Sequence, residues 1–312
     1  MYLSIQVTQL WEELKSNRLA KYGTVTVVTA ISLVLLRKWI AGGVCRCRVR
    51  LDGKTVIITG ANTGIGKETA RDLAMRGARV VMIRRSTGNG NIVVQHLNLS
   101  SLLSVQQFVH EYTAAEDRLD ILINNDGVMM CPKSLTEDDY ETQFAINHLG
   151  HFLLTVLLLD VLKKSSPSRI INVSSIAHKG GKTHFDDLNF NKAPYDSLVS
   201  YRQKLARRIK GSGVTVYSLH PGVIRTELGR YVQTRHPLLS ALLSFPALLL
   251  MKTPSQGAQT SIYCAVAEGL ESHLSVYSDC KLKEPAPEGK DDLAALRLWE
   301  ISAKLVGYDE EN

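Results

Sequence analysis

The residues with the clearest chemical meaning are the three glycines of the octapeptide TGANTGIG, which starts at Thr59. Gly60 lets the chain turn sharply, Gly64 lets backbone N–H groups approach a pyrophosphate, and Gly66 permits close packing of a helix on a strand. The helix that follows adds the positive end of its dipole to the phosphate site. Glycines in this pattern therefore predict the binding of a dinucleotide.

The elements on either side of the turn are those that a dinucleotide fold requires. Thr55–Ile58 is a run of β-branched residues, with the composition of a strand buried on both faces. After the turn, Ala70, Leu73 and Ala74 recur at helical spacing. Strand, glycine turn and helix together predict a dinucleotide-binding crossover, whereas a glycine turn without such flanks is more often only a turn.

The rest of the chain alternates strands with helices, which predicts an α/β fold with a doubly wound parallel sheet of Rossmann type, as one domain over residues 51–312. Further strands are expected at 79–83, 92–99, 119–123, 169–173 and 214–219, and helices at 104–112, 141–162 and 201–210. Only eight residues connect the second and third strands, too few for the helix that a parallel crossover usually carries. We expect one face of the sheet to lack a covering helix near that edge.

The second predicted strand ends in Arg84 and Arg85, without an acidic residue. In a dinucleotide fold this position faces the adenosine ribose, where an acid binds the 2′-hydroxyl of NAD and an arginine accommodates the 2′-phosphate of NADP. Arg85 together with Thr63 and Lys67 would surround that phosphate. NADP is therefore expected in preference to NAD, and the alternative is that both arginines are solvated surface charges.

The composition excludes several classes of protein. A chain of 312 residues, 45% hydrophobic and 21% charged, is typical of a globular protein and argues against disorder. The net charge of +7 does not come from basic residues interleaved with aromatic ones, so nucleic acid is not an expected partner. The five cysteines are odd in number and lack the paired spacing of zinc ligands, which favours a reduced domain facing the cytosol and no metal site.

An uncharged run at residues 23–36 lies between two groups of basic residues. It is shorter than the roughly 20 residues that span a bilayer, but Tyr22 and residues 37–44 extend it sufficiently if two charges snorkel. We expect residues 1–50 to form an N-terminal segment with a membrane anchor at about 22–44; a signal peptide and a buried helix are the alternatives. Cys45 and Cys47 are expected to be free thiols, with acylation as the alternative.

Several motifs occur in an order that characterises one enzyme family. They are TGANTGIG, an NNxG motif after a strand, Asn147 in a helix, Ser174-Ser175 after a strand, Tyr201 with Lys204 close behind, and HPG after a later strand. With this order the chain resembles the short-chain dehydrogenase/reductase family over residues 51 to about 307. Segments such as NHLGHFLLT, SLHPGVIRTEL and KTPSQGAQTSIYCAVAEGLE resemble the membrane-anchored retinol dehydrogenases of that family.

The resemblance implies a role for each of these residues. Tyr201 would donate or accept a proton at the substrate oxygen, with Lys204 lowering the pKa of its phenol. Ser175 would hydrogen-bond that oxygen, Asn147 would hold a water in a proton relay, and hydride would pass to or from the nicotinamide. The expected cofactor contacts are Gly60, Asn62, Thr63, Gly64, Ile65, Gly66, Lys67, Arg85, Asn98, Asn125, Gly127, Pro221, Gly222, Val223 and Thr226.

The chain also departs from the family pattern. The family's YxxxK is YxxK here, which at about 100° per residue moves Lys204 around the helix relative to Tyr201. The stretch from Tyr201 to Gly211 is about half the family's length, Asn98 replaces an acid near the adenine, and Asp126 brings a carboxylate near the expected phosphates. With the short second crossover, these differences suggest losses of internal segments. They support the alternative of an inactive, membrane-anchored protein that at most binds nucleotide.

Residues 237–251 form an uncharged apolar segment that is too short for a second membrane span and contains Pro246. We expect residues of about 228–254 to form a lid over a lipophilic substrate, dipping into the membrane surface, with a packed helix as the alternative. The resemblance implies retinol and retinal ahead of sterols or fatty aldehydes. It also implies an endoplasmic reticulum membrane with the domain facing the cytosol, or else a mitochondrial membrane. A homodimer is implied too, although the short helix after Tyr201 weakens that expectation.

Overall fold

The computed structural model describes residues 18–83, 92–175, 185–191, 211–229, 246–271, 276–284 and 291–309. The chain divides into two compact units, residues 1–42 and 43–312. The first unit contains helix α1 (Arg18–Ala41), in which the stretch Tyr22–Ala41 has no buried residue and is long and apolar enough to cross a membrane. A membrane span and a signal sequence share these properties, so the anchor stays a prediction.

The described part of the second unit contains one sheet of eight strands. They are β1 (Thr55–Ile58), β2 (Arg79–Ile83), β3 (Ile92–Gln95), β4 (Ile121–Asn124), β5 (Ser168–Val173), β6 (Val214–His220), β7 (Val276–Ser278) and β8 (Lys281–Lys283). Their order across the sheet is β3-β2-β1-β4-β5-β6-β7-β8, and every pair is parallel except β7 with β8. The chain thus winds outward in both directions from β1 and β4, which confirms the doubly wound fold and places a crevice at their carboxyl ends.

Helices cover both faces of this sheet. They are α2 (Gly64–Met75), α3 (Leu102–Ala115), α4 (Thr142–Phe144), α5 (Gly150–Leu157), α6 (Leu159–Lys164), α7 (Pro254–Val266) and α8 (Asp292–Val306). In β1, Ile57 faces a core formed with α3, α5 and α8, while Val56 and Ile58 face a core formed with α2 and α7. Successive side chains of a strand point to opposite faces, so the continuous apolar run is explained by burial on both sides.

Most strand predictions hold within one or two residues, but the third is too long. The strand expected at 92–99 ends at Gln95. Beyond it, the Oδ1 of Asn98 accepts hydrogen bonds from the backbone N–H (3.1 Å) and the hydroxyl (2.7 Å) of Ser100, which forms a turn leading into α3. Leu99 is buried under α5, so the apolar pattern there marks a core position outside the strand.

The single helix predicted at 141–162 is wrong in its detail. Glu141 precedes the helix and caps it, because its carboxylate accepts two backbone N–H groups of α4. The chain then forms a π-helical segment, Ala145–Leu149, before α5, and α5 is separated from α6 at Leu158. Wider π turns inside helices are frequent at functional sites, and Asn147 lies in this one.

The second and third strands pair as the sequence predicts. β3 runs parallel to β2, from Ile92 opposite Val80 to Gln95 opposite Ile83. Residues 84–91 join them and lie outside the described residues. The expected gap in helical cover at this edge therefore stays a prediction.

Candidate active site

The turn after β1 has no room for side chains at its glycines. A Cβ on Gly66 would collide with the carbonyl oxygen of Gly60 and lie 2.5 Å from the Nδ2 of Asn125. Gly60 itself has φ +64°, and a Cβ there would lie 3.0 Å from the Oδ1 of Asp126. The carboxylate of Asp126 is therefore next to the turn, as the sequence indicated.

The start of α2 lies behind this turn and is not capped. Thr63 occupies the N-cap position, and its side chain makes no capping hydrogen bond within the described part of the chain. The first N–H groups of a helix have no partners inside the helix, and an N-cap side chain usually satisfies one of them. Uncapped N–H groups beside a glycine turn fit a pyrophosphate, so the residues present suit a dinucleotide.

Thr59 joins this turn to the segment that follows β4. Its Oγ1 accepts the backbone N–H groups of Asn125 at 2.8 Å and of Asp126 at 2.9 Å. In return the Nδ2 of Asn125 donates to the carbonyl oxygens of Thr59 at 2.9 Å and Gly60 at 3.3 Å. The Asn125 amide thus shapes the cofactor turn through the main chain.

Asn147 is held against the next residues of the same segment. Its Oδ1 accepts the N–H of Val128 at 2.8 Å, and its Nδ2 donates to the Val128 carbonyl at 2.9 Å. A Cβ on Gly127 would lie 3.2 Å from that Oδ1, so glycine permits the close approach. An amide has two lone pairs and two N–H donors, so its contacts with described residues leave one of each for a water.

Lys252, which directly follows the apolar segment 237–251, braces the loop after β6. Its Nζ donates to the carbonyl of Pro221 at 3.2 Å and forms an ion pair with the Oδ1 of Asp279 at 2.5 Å. Its backbone pairs with Ile224 in a parallel bridge. Gly222 has φ +106°, and a Cβ there would lie 2.9 Å from the Lys252 Cε. In the sequence, only the presence of a lysine directly after an apolar run could have drawn attention to Lys252.

The remaining predicted residues are distributed around this edge. Ser175 follows β5 through Ser174, whose N–H donates to the carbonyl of Leu219 at 2.8 Å at the end of β6. Asn98 is exposed and is engaged with Ser100. Asn62, Lys67 and Val223 are exposed, Ile65, Gly222 and Thr226 are partly buried, and Pro221 is buried. Tyr201, Lys204 and Arg85 lie outside the described residues, so their positions stay predictions.

The loop after β6 and the glycine turn meet directly. A Cβ on Gly64, which has φ +56°, would lie 3.1 Å from the Cγ2 of Thr226. Gly257 of α7 lies beneath both, since a Cβ there would meet side-chain atoms of Ile224 and Ile65. The glycine turn and the loop after β6, two predicted parts of the cofactor site, are thus in contact in the structure, and Asn125 also binds the turn.

Comparison with known proteins gives consistent relatives. Residues 54–236 match the family described as short chain dehydrogenase. Retinol dehydrogenase 13 of Homo sapiens is 47% identical over 317 aligned positions, covering 93% of this chain and 95% of the relative. Retinol dehydrogenase 12 of Homo sapiens is 47% identical, covering 87% and 92%. A crystal structure of an uncharacterized protein from Mycobacterium paratuberculosis has TM-score 0.68 and 31% identity, covering 85% of this chain and 98% of that one.

The alignment also bears on the short segments. It spans 317 positions although the whole chain has 312 residues and only 93% of them are aligned. Human retinol dehydrogenase 13 must therefore have internal residues that this chain lacks.

The fold, the glycine turn and these relatives lead to one conclusion: the chain belongs to the short-chain dehydrogenase family, in its retinol dehydrogenase group. It is an oxidoreductase that uses a nicotinamide cofactor to interconvert an alcohol and a carbonyl compound.

Proposed function

We propose that this chain interconverts retinol and retinal, or a closely related lipophilic alcohol and aldehyde, with NADP as its cofactor. One observation carries the proposal: the glycine turn, closed to side chains at Gly66, lies at the same sheet edge as Asn147 and the segment ending in Ser175. The names of the relatives supply the retinoid as the substrate class.

The chemistry assigns one proton-transfer step to the chain's own residues. A bound nicotinamide supplies hydride transfer at its ring carbon. In reduction, the phenol of Tyr201 donates a proton to the carbonyl oxygen, and in oxidation it takes that proton back from the alcohol. Lys204 is the proposed source of the positive charge that favours the phenolate form of Tyr201. The hydroxyl of Ser175 hydrogen-bonds the same oxygen, and Asn147 holds a water that exchanges the proton with solvent.

The preference for NADP rests on charge at the end of β2. Arg84 and Arg85 stand where an NAD enzyme of this fold carries an acid. Thr63 and Lys67, at the start of α2, are proposed to contact the same phosphate. A 2′-phosphate carries negative charge that arginine binds in a forked geometry.

The lipophilic substrate is suggested by the apolar segment that precedes Lys252. Residues 246–250 are helical, and Leu248 and Leu250 are each more than half exposed. Lys252, near the end of the predicted lid at about 228–254, hydrogen-bonds the loop after β6, which supports a lid beside the site. We further propose that α1 anchors the chain in the endoplasmic reticulum membrane, with the domain facing the cytosol, and that the chain forms a homodimer. A mitochondrial membrane is the alternative location.

The test uses the full chain purified in detergent micelles. It is mixed with all-trans-retinal and either NADPH or NADH, and retinol is quantified by chromatography. We expect retinol formation with NADPH, at least about tenfold more efficient than with NADH. Tyr201→Phe, which removes only the hydroxyl, is expected to abolish turnover and to preserve NADPH binding. Saturable NADPH binding without turnover of retinal or another lipophilic aldehyde would replace this proposal with the inactive, nucleotide-binding alternative.

A further inference from the structure

His151, on α5, is a buried histidine next to the cofactor turn, with 3% of its surface exposed. Its Nε2 lies 2.9 Å from the Oγ1 of Thr59. That oxygen already accepts two backbone N–H groups, from Asn125 and Asp126. A hydroxyl has two lone pairs and one proton, so the proton remains for donation. The ring nitrogen is a closer acceptor than the carbonyl of Ile123 at 3.4 Å, so Thr59 donates to Nε2.

The tautomer of His151 follows from this assignment. Because Nε2 accepts, the ring proton is on Nδ1. The backbone carbonyls of Ile146 and Asn147 raise the pKa of the ring, as carbonyl groups beside its N–H do. Burial lowers the pKa of His151 to about 4, and the two carbonyls oppose this only in part. The ring is therefore neutral near pH 7 and has one donor and one acceptor.

The two carbonyls belong to the π-helical segment Ala145–Leu149, in which Asn147 lies. A π turn departs from the regular helical ladder, and buried carbonyl groups need donors. His151 provides such a donor on one side of its ring, while the other side contacts Thr59. The His151 side chain therefore links Thr59 of the cofactor turn to the helical stretch that contains Asn147.

We propose that His151 is a positioning residue that holds Asn147 and the cofactor turn in one fixed arrangement, through Nδ1–H on one side and Nε2 on the other. The inference rests on the proposed function, because its kinetic part requires turnover. A buried histidine with a purely structural role is available for comparison. The Nε2 of His148 lies 2.7 Å from the Oγ of Ser302 in α8, so this contact joins two helices and does not involve the cofactor turn. His148 lies in the same helical stretch and serves as the matched control.

The two sides of the ring can be tested separately. Asparagine retains an N–H near the Nδ1 position, and glutamine retains an acceptor near the Nε2 position. His151→Gln keeps the contact with Thr59 and loses the donor to the π-helical segment. We expect its kcat to fall by about tenfold or more while the Kd for NADPH stays within about threefold. His151→Asn reverses the pattern: the Kd for NADPH rises by about tenfold, and kcat at saturating NADPH changes by less than about threefold.

His148→Gln is expected to lower the Tm and to leave both Kd and kcat within about twofold of the wild type. The inference is overturned if the two His151 variants lower only the Tm, or if both change Kd and kcat in the same pattern. If the His151 variants do not fold, Thr59→Val and Thr59→Ser form the second pair. Valine, which lacks the hydroxyl, must weaken NADPH binding, and serine, which keeps it, must not.

These readouts separate the inference from the proposed function. If the wild-type chain binds NADPH but reduces no lipophilic aldehyde, the proposed function fails. The comparison of NADPH Kd between His151→Asn and His151→Gln still decides the inference, because it needs no turnover. Equal Kd values for the two variants then overturn the positioning role on the Thr59 side.

Discussion

The carboxamide of Asn147 and the backbone of Val128 bind each other twice, with Oδ1 accepting the N–H at 2.8 Å and Nδ2 donating to the carbonyl at 2.9 Å. This pair joins a π-helical segment to the loop that leaves β4. Both bonds depend on the carboxamide, since its oxygen accepts while its separate NH2 group donates. The pair therefore fixes the position of Asn147 relative to the cofactor turn.

Replacing Asn147 with aspartate tests this pair. The carboxylate has no N–H and places an oxygen against the carbonyl of Val128. We expect kcat/KM for retinal to fall by about 100-fold, which corresponds to about 2.7 kcal/mol in transition-state stabilisation. Steady-state kinetics with NADPH in excess measures it.

Asn189 offers a matched control for that substitution. Its Oδ1 accepts the N–H of Glu141 at 2.9 Å, and its Nδ2 donates to the carbonyl of Asp139 at 2.9 Å. Asn189→Asp is expected to lower the Tm with kcat/KM unchanged within about twofold. Equal kinetic losses in the two variants would mean that Asn147 contributes only to folding.

The ion pair of Lys252 and Asp279 predicts how stability depends on pH. Burial raises the pKa of Asp279, but the hydrogen bond and charge of Lys252 outweigh it and hold the pKa below its usual value. The stabilisation is therefore complete above the unfolded-state pKa, near 3.9, and is lost as pH falls through the lower folded-state pKa. The Tm of the wild type should fall steeply below about pH 4.

Asp279→Asn should lower the stability at pH 7 by about 2–3 kcal/mol and flatten that part of the Tm profile, because it leaves the buried Lys252 without its charge partner. The Asp279 side chain is 35% exposed, which limits the loss. Asp160→Asn removes the exposed pair with Lys163 and should cost less than about 0.5 kcal/mol. An Asp279 variant with the wild-type acid profile would contradict the prediction.

The spacing of Tyr201 and Lys204 predicts a gain of activity. Inserting alanine between Gln203 and Lys204 restores YxxxK and rotates the lysine by about 100° around a helix. We expect kcat to rise several-fold, since the ammonium group then approaches the phenol from the direction used in the family. Inserting alanine between Arg207 and Arg208 lengthens the same stretch without changing the tyrosine–lysine spacing and should not raise kcat. A rise in both variants would show that length, and not spacing, limits the activity.

Arg85 is predicted to determine cofactor preference. Arg85→Glu should weaken NADPH binding and improve NADH binding, so that the ratio of their Kd values changes by about tenfold or more. Arg46, which is exposed in the segment after α1, provides a control with the same change in charge. Arg46→Glu should leave the ratio within about twofold. Titration of nicotinamide fluorescence measures both, and an unchanged ratio in Arg85→Glu would assign the 2′-phosphate to other residues.

The local pattern was sufficient to predict the crossover at β1 and a doubly wound parallel sheet, because a β-branched run next to a glycine turn is compatible with few other structures. Periodicity did not reveal the π-helical segment, since one extra residue in a turn leaves an apolar stripe nearly unchanged. It also made the third strand too long, because Leu97 and Leu99 alternate with Asn98, which forms a turn.

His151 and Lys252 could not be recognised in the sequence for a different reason. His151 meets a hydroxyl 92 residues earlier, and Lys252 meets a carboxylate 27 residues later. A buried histidine or lysine acquires its role from partners that only the folded chain brings together. The glycines of the turn could be predicted from the sequence, whereas His151 and Lys252, which act through distant side-chain partners, could not.

Titration of the full chain with NADPH, for the wild type and Gly66→Ala, tests most directly whether the cofactor lies on the glycine turn. A Cβ at Gly66 would collide with the Gly60 carbonyl, whereas Gly53, with φ +73°, has open space around it. Nicotinamide fluorescence should saturate for the wild type and for Gly53→Ala and should show no saturation for Gly66→Ala, with all three folded by circular dichroism. A folded wild type that does not bind NADPH, or a Gly66→Ala variant that binds it with the wild-type Kd, would contradict this position of the cofactor.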